Sequence, residues 1–182
     1  MNEIKTIFNE LQASIAQISD NDIHLFGENL KRAKRIYVVG EGRSGLMTKA
    51  FAMRLMHLGM NVYVVGETVT PAIKAADMLV AISGSGTTES VNLVARKAKE
   101  IGCDVIAVTA NPNSLLCEQA GQVFRVPGAT KYRRAGEPES VQLLSSLFDQ
   151  TLHLFLDAVC LHIAKRDDKG GEHAKAMHSN LE

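Results

Sequence analysis

The chain has 182 residues, which fits one domain with a full hydrophobic core. Its 20 Lys and Arg balance 20 Asp and Glu, so there is no basic excess to hold a polyanion, and nucleic acid is not expected as a partner. The three cysteines, Cys103, Cys117 and Cys160, lie far apart without a CxxC pair; this argues against a zinc site or a disulfide framework and reads as small buried hydrophobes in a reducing compartment.

The chain opens with Ile4, Ile7, Phe8, Leu11, Ile15 and Ile18 at spacings of three and four, predicting an amphipathic helix over 1–18. Asp20 or Asn21 would cap a second helix over 22–33. Both precede the first strand, so they are expected on the outside of the sheet or against another subunit. The polar start is unlike a signal peptide, and no apolar run approaches the ~20 residues of a bilayer span. A soluble, cytoplasmic protein without a membrane partner is expected.

Residues 36–39 form a compact β-branched and aromatic run, read as a buried strand. It ends in Gly40-Glu41-Gly42-Arg43-Ser44-Gly45, followed by a helix over 46–58. The glycines match GxGxxG, which alone is a weak signal for a dinucleotide. The acidic residue such a site wants near the end of the next strand, 61–65, would be Glu67, which comes late.

The third strand, 78–82, runs into Ser83-Gly84-Ser85-Gly86-Thr87-Thr88-Glu89-Ser90 and then a helix over 91–101. Strand, small-residue loop, helix is an arrangement that binds phosphate. Glycines admit the anion, and the helix start offers N–H groups and a favourable dipole. Hydroxyls of Ser83, Ser85, Thr87 and Thr88 add donors. A fourth strand spans 105–108, a short helix follows the Ser114 cap to 120, and a fifth strand spans 123–126. A polar loop, 127–138, carries Lys131, Arg133 and Arg134, and a long apolar helix is predicted over 139–165. The polar tail, 167–182, reads as a frayed end. Strands alternating with helices predict an α/β fold with a parallel sheet. Ligands of such sheets bind beyond the carboxyl ends of the strands, so both glycine-serine loops are expected at one site. One domain is expected, with N-terminal helices over 1–33, an α/β core over 34–165 and a tail over 166–182.

At this point the sequence resembles the 6-phospho-3-hexuloisomerases of the sugar isomerase (SIS) domain family. The likeness rests on residues 40–45, 51–59, 64–68 and 82–88, on Gln142 and 146–150, and on the ending His178-Ser179-Asn180-Leu181-Glu182. It implies a single SIS domain with a five-stranded parallel sheet flanked by helices, a flavodoxin-like three-layer sandwich. It also implies a homo-oligomer, commonly a tetramer, no metal, and no nucleotide or other cofactor. The implied reaction interconverts 3-hexulose 6-phosphate and fructose 6-phosphate through an enediolate. In bacteria this follows fixation of formaldehyde onto ribulose 5-phosphate.

The kit such chemistry needs is a phosphate anchor, a base and oxyanion donors. Ser44, Ser83, Ser85 and Thr88, with the backbone N–H groups of residues 84–88 (Gly84, Ser85, Gly86, Thr87 and Thr88), would anchor the sugar phosphate. Each single hydroxyl is equally read as a turn or cap. Asp149 is the candidate base, with Glu139 in reserve; the plainer readings are a solvated helix position for Asp149 and a helix-start charge complementing the dipole for Glu139. Arg43 would polarise a sugar oxygen or pair with a carboxylate. His57 would serve a neighbouring subunit's site or simply pack. His178 and Asn180 would cover a neighbour's pocket, and His153 reads as structural. The family usually has Glu at Thr87, Gln-Pro at Gln142-Leu143 and Glu at Asp149. Other readings are a different SIS-type sugar-phosphate isomerase, a non-catalytic phosphosugar sensor and a nucleotide-binding domain.

Overall fold

The computed structural model describes residues 2–181; Met1 and Glu182, where the first helix and the tail were expected to begin and end, lie outside them. The order is α1 (Glu3–Ile15), α2 (Asp20–Arg32), β1 (Ile36–Gly40), α3 (Gly42–His57), β2 (Val62–Val64), β3 (Met78–Ile82), α4 (Glu89–Ile101), β4 (Asp104–Thr109), α5 (Leu115–Gln119), β5 (Gln122–Arg125), α6 (Ser146–Arg166) and α7 (Gly171–Met177). The five strands form one sheet in the order β2-β1-β3-β4-β5. Every neighbouring pair is parallel, as the single α/β domain and its flavodoxin-like order require.

Strand residues alternate between two cores because side chains alternate across a sheet. Ile36, Val38, Val80, Ile82, Ile106, Val108 and Phe124 face α2, α3 and α6. Tyr37, Val39, Leu79, Ala81, Val105 and Ala107 face α4 and α5. The return from β2 to β3 has no helix. This segment is tied down by polar contacts instead: Arg35 pairs with the buried Asp77 at 2.5 Å, and Tyr37 Oη donates to the Ala72 carbonyl at 3.2 Å. The Arg35 hydrogen bonds, outweighing burial, hold the Asp77 carboxyl below the usual range.

Several expected boundaries move. Ser19, rather than Asp20 or Asn21, caps α2, accepting from Asn21 N at 3.1 Å. The predicted start of α3 at 46 falls four residues late, because the glycine-rich turn is itself the first helical turn. The long helix expected from 139 begins only at Ser146. Pro138 and a left-handed Leu144, φ 51°, keep the intervening run out of the helix. Glu139 is therefore an exposed loop residue, not a helix-start charge. The tail is not simply frayed, since α7 packs against α3.

By length and composition α6 would suffice to cross a membrane, contrary to the reading that no run approached that length. Ten of its residues, including Phe148, Leu152 and Phe155, are buried, so its apolarity serves the core. In α1 the apolar stripe faces outward: Ile4 and Phe8 are 76% and 62% exposed while Ser14 is buried. Cys103 and Cys160 are buried and Cys117 is half-buried; all three are free thiols.

The core on the α6 side centres on Phe26, fully buried, with ring centroids 4.6 Å from Phe124, 5.7 Å from Phe155 and 6.1 Å from Phe51. Phe26→Ala leaves a cavity among three rings. It is expected to cost about 3–5 kcal/mol and to lower the thermal midpoint by roughly 10 °C, read by a thermal melt.

Candidate active site

The β1–α3 and β3–α4 turns lie side by side because β1 and β3 are neighbours, with Gly40 opposite Ile82. The chain leaves β1 through α3 towards β2 on one side, and β3 through α4 towards β4 on the other. That is the switch point where such sheets open a crevice. Three helices begin around it, α3, α4 and α6, and none has a side-chain hydrogen bond at its N-cap. Uncapped N–H groups and aligned dipoles there favour an anion.

The serine loop is braced from within. Ser83 Oγ accepts from Gly86 N at 3.1 Å and shares a hydrogen bond of 2.8 Å with Thr88 Oγ1. Ser85 Oγ accepts from Thr87 N and Thr87 Oγ1 at 3.2 and 3.0 Å. Asn92 Nδ2 donates to the Gly86 and Thr88 carbonyls. Ser90 Oγ donates to Glu41 Oε1 at 3.0 Å, linking the two loops. Ser83 is buried, Ser85 and Thr88 half-buried, and Thr87 exposed. A Cβ on Gly84 would stand 2.8 Å from the Phe148 ring, so the loop lies directly on α6.

On that helix Asp149 is 2% exposed. Its Oδ1 accepts from Ser44 Oγ at 2.7 Å, and Arg43 Nε lies 3.6 Å from its Oδ2. Burial pushes its carboxyl above the usual range, against the Ser44 hydrogen bond and the Arg43 charge. Arg43 is largely exposed and also donates to Ser146 Oγ at 2.8 Å. Thus Asp149, Arg43, Ser44 and the serine loop converge, with Ser44 turned to the carboxylate. Asp149 is not the solvated helix position of the plainer reading.

His57 does not join them. It sits at the other end of α3, thirteen residues from Ser44, or about 20 Å along the helix axis. It is 4% exposed and stacks on His178 with ring centroids 5.2 Å apart. Arg54 Nη1 lies 3.5 Å from His57 Nδ1. Arginine only donates, so Nδ1 is the acceptor and the ring proton belongs on Nε2. Burial, with Arg54 and His178 nearby, lowers its pKa and favours the neutral ring. His153 is outward-facing, 3.5 Å from Asp157. Among the described residues no group of three or more His, Cys, Asp or Glu is placed to hold a metal ion.

Sequence reasoning missed Ser146, Asn92 and the Glu41–Ser90 link. Asn92, four residues after the Thr88 cap, carried a usable signal: a helical i, i+4 position reaches back to the cap. The other two join residues far apart in sequence and carried none.

A family profile for the SIS domain matches residues 29–154. The chain is 41% identical over 179 residues to a 3-hexulose-6-phosphate isomerase of Bacillus subtilis, covering 98% of this chain and 97% of that one. It is 36% identical over 181 residues to a protein of the same name from Mycobacterium gastri, covering 100% and 90%. A crystal structure from Methanococcus jannaschii, from which a 3-hexulose-6-phosphate isomerase function was inferred, superposes with a TM-score of 0.83 at 34% identity, covering both chains fully.

The raised pKa of Asp149 has a consequence for stability. Its folded-state pKa exceeds its unfolded one, so the folded chain is stabilised when the carboxyl is protonated, and that contribution is lost as pH rises through the folded pKa. At pH 7 to 8 the buried charge opposes folding. Asp149→Asn keeps an acceptor for Ser44 and is expected to raise the thermal midpoint there by about 2–4 °C. The gain should shrink as pH falls into the ordinary carboxylate range, as followed by melts across pH.

Proposed function

The chain belongs to the SIS domain family, and from that premise we propose that it interconverts 3-hexulose 6-phosphate and fructose 6-phosphate. It is a sugar-phosphate isomerase, as are near-full-length relatives named for this reaction. The observation that carries the chemical reading is a buried carboxyl of raised pKa at the crevice where three helices begin.

In this reading the substrate phosphate lies over the serine loop. It takes hydrogen bonds from the hydroxyls of Ser85 and Thr88 and from N–H groups at the start of α4, while Ser83 Oγ and Ser85 Oγ, which hold the Gly86 and Thr87 N–H groups, brace the turn. Asp149 takes the proton from C2 of the 3-ketose. The electron pair forms the C2–C3 double bond of an enediolate, with charge on O3. The proton returns at C3 as the carbonyl forms at C2, and the O2 proton passes to O3. Arg43, exposed at the rim and already turned to Asp149, stabilises the oxyanion. A carboxyl whose pKa is raised by burial is a stronger base than a solvated one, which suits removal of a carbon-bound proton. Ser44 fixes its orientation. No residue in this scheme calls for a metal or other cofactor.

His57 lies too far along α3 to act on the same chain's crevice; in the reading proposed it serves a neighbouring subunit's site, for ring opening or protonation of an oxygen. The stack on His178 brings the tail to the same place. Self-association is supported by the exposed apolar side chains of Ile4, Phe8, Leu154 and Leu161 on α1 and α6; we take the assembly to be a homotetramer. The reaction fits a cytoplasmic step after aldol addition of formaldehyde to ribulose 5-phosphate, in the ribulose monophosphate pathway.

The test incubates the protein with fructose 6-phosphate in deuterated water and follows C1, C2 and C3 by NMR. Formation of the 3-ketose is expected, with deuterium entering C3 of the recovered 2-ketose; exchange at C1 with an aldose product would overturn the keto–keto assignment. Asp149→Asn is expected to lose about 10²–10⁴-fold in turnover and still bind fructose 6-phosphate; near-normal turnover would sink the base.

A second measurement concerns His57. Asp149→Asn and His57→Gln chains, each nearly inactive alone, should recover a sizeable fraction of activity when co-refolded, because mixed assemblies contain sites with both groups intact. Recovery absent at every mixing ratio would place His57 outside the chemistry.

A further inference from the structure

Glu10 lies on α1, outside the 29–154 stretch of the family match. It reaches the run that leads into α6. Its Oε2 accepts from Ser140 Oγ at 2.6 Å and from Gln142 Nε2 at 3.0 Å, and its Oε1 accepts from Val141 N at 2.9 Å. Partial burial would raise its pKa, but these three hydrogen bonds and the Arg133 charge prevail and hold it below the usual range. It is therefore an acceptor-only anion across neutral pH.

The run it holds is 140–145. Val141, Leu143 and Leu144 there are 79%, 81% and 71% exposed, so hydrophobic burial cannot fix the segment. Leu144 is in the left-handed region, and the run has no helical ladder. What positions it is polar: the Glu10 bracket, Arg133 Nη2 donating to the Gln142 carbonyl at 2.5 Å, and Lys131 N donating to Ser145 Oγ at 3.1 Å. From Gln142 the connection continues, since its Oε1 accepts from Gln150 Nε2 at 2.9 Å. Gln150 is the residue after Asp149, and its Oε1 is buried without a partner. Ser146, bonded to Arg43, stands at the start of the same helix.

We infer that Glu10 is a positioning residue for the isomerisation: it fixes the 140–142 segment and, through Gln142 and Gln150, the first turn of α6 that carries Asp149. The inference rests on the reading of Asp149 as the base. A carboxylate displaced by about an ångström from its working position costs as much as 10²-fold in rate. The phosphate loop, braced by its own hydrogen bonds, is untouched by the change.

The experiment is steady-state kinetics of fructose 6-phosphate isomerisation by the full chain. Glu10→Ala is expected to lower kcat by about tenfold or more with KM changed less than twofold and the thermal midpoint nearly kept. Glu10→Gln, which retains a carbonyl acceptor, should fall between it and the parent, and Glu3→Ala on the same helix should leave kcat unchanged. Combined with Asp149→Asn, Glu10→Ala should lower the residual rate no further, because its effect passes through that carboxylate. A purely structural role would give the same fold-loss in both backgrounds, and that result, or full kcat in folded Glu10→Ala, overturns the inference. Should Glu10→Ala fail to fold, Ser140→Ala and Gln142→Leu release the bracket from the other side, and full kcat in both overturns it equally. Parental turnover in Asp149→Asn alone would instead refute the base, whatever Glu10 does.

Discussion

The pairing of β1 with β3 is the constraint on which the rest of this structure depends. Two strands adjacent in the sheet but not in sequence send their following helices to opposite sides and opposite faces. The turns after them are left flanking one crevice. Everything placed at the site inherits that geometry: Arg43 and Ser44 because they open α3, the serine loop because it precedes α4, and Asp149 because α6 packs in the same layer as α3. Pairing β1 and β3 in any other register would shift the two turns apart along the strands, and no side-chain adjustment restores a shared anion site.

Against this scaffold Asp149 is a local conflict. The first turn of α6 is a favourable place for a negative charge, and Ser44 and Arg43 both favour ionisation. Burial outweighs them. A core position chosen for stability would carry a neutral or apolar group here, as the surrounding Leu147, Phe148 and Leu152 do. Stored destabilisation of this kind suits a site for proton abstraction.

The parts of the molecule legible in the sequence are those set by short-range pattern. All five strands are compact β-branched or apolar runs, and each appears where its pattern puts it, to within a residue or so at the ends. The two small-residue loops were recognisable because glycine and serine at a strand-to-helix junction have a local physical meaning. The start of α6 was misread because its apolar periodicity says nothing of Leu144, whose left-handed backbone is imposed by the polar ties around it. The outward apolar face of α1 was legible as amphipathic but not in direction, since which face a helix buries depends on its partner. Hardest of all were Glu10 with Ser140 and Asp149 with Ser44, pairs more than one hundred residues apart whose meeting is a property of the fold alone. His57 is the converse: a resemblance singled it out as a site residue, and the length of α3 keeps it from its own chain's crevice.

The aspartate at position 149, where the resembling isomerases usually carry glutamate, is one methylene shorter. A shorter side chain serves only if the backbone comes closer. Around Phe148 the approach is close. Its ring lies against Gly84, where a Cβ would stand 2.8 Å away, and its Cα lies against Gly128, where a Cβ would stand 2.4 Å away. The first turn of α6 is thus seated between two glycine-bearing loops with no room for a side chain on either. At that approach Asp149 reaches Ser44 at an ordinary hydrogen-bond distance of 2.7 Å. A glutamate on the same backbone would have to fold back or push Arg43 and Ser44 outward. Close backbone packing at 84 and 128 is the setting in which the short acid at 149 makes its contact with Ser44.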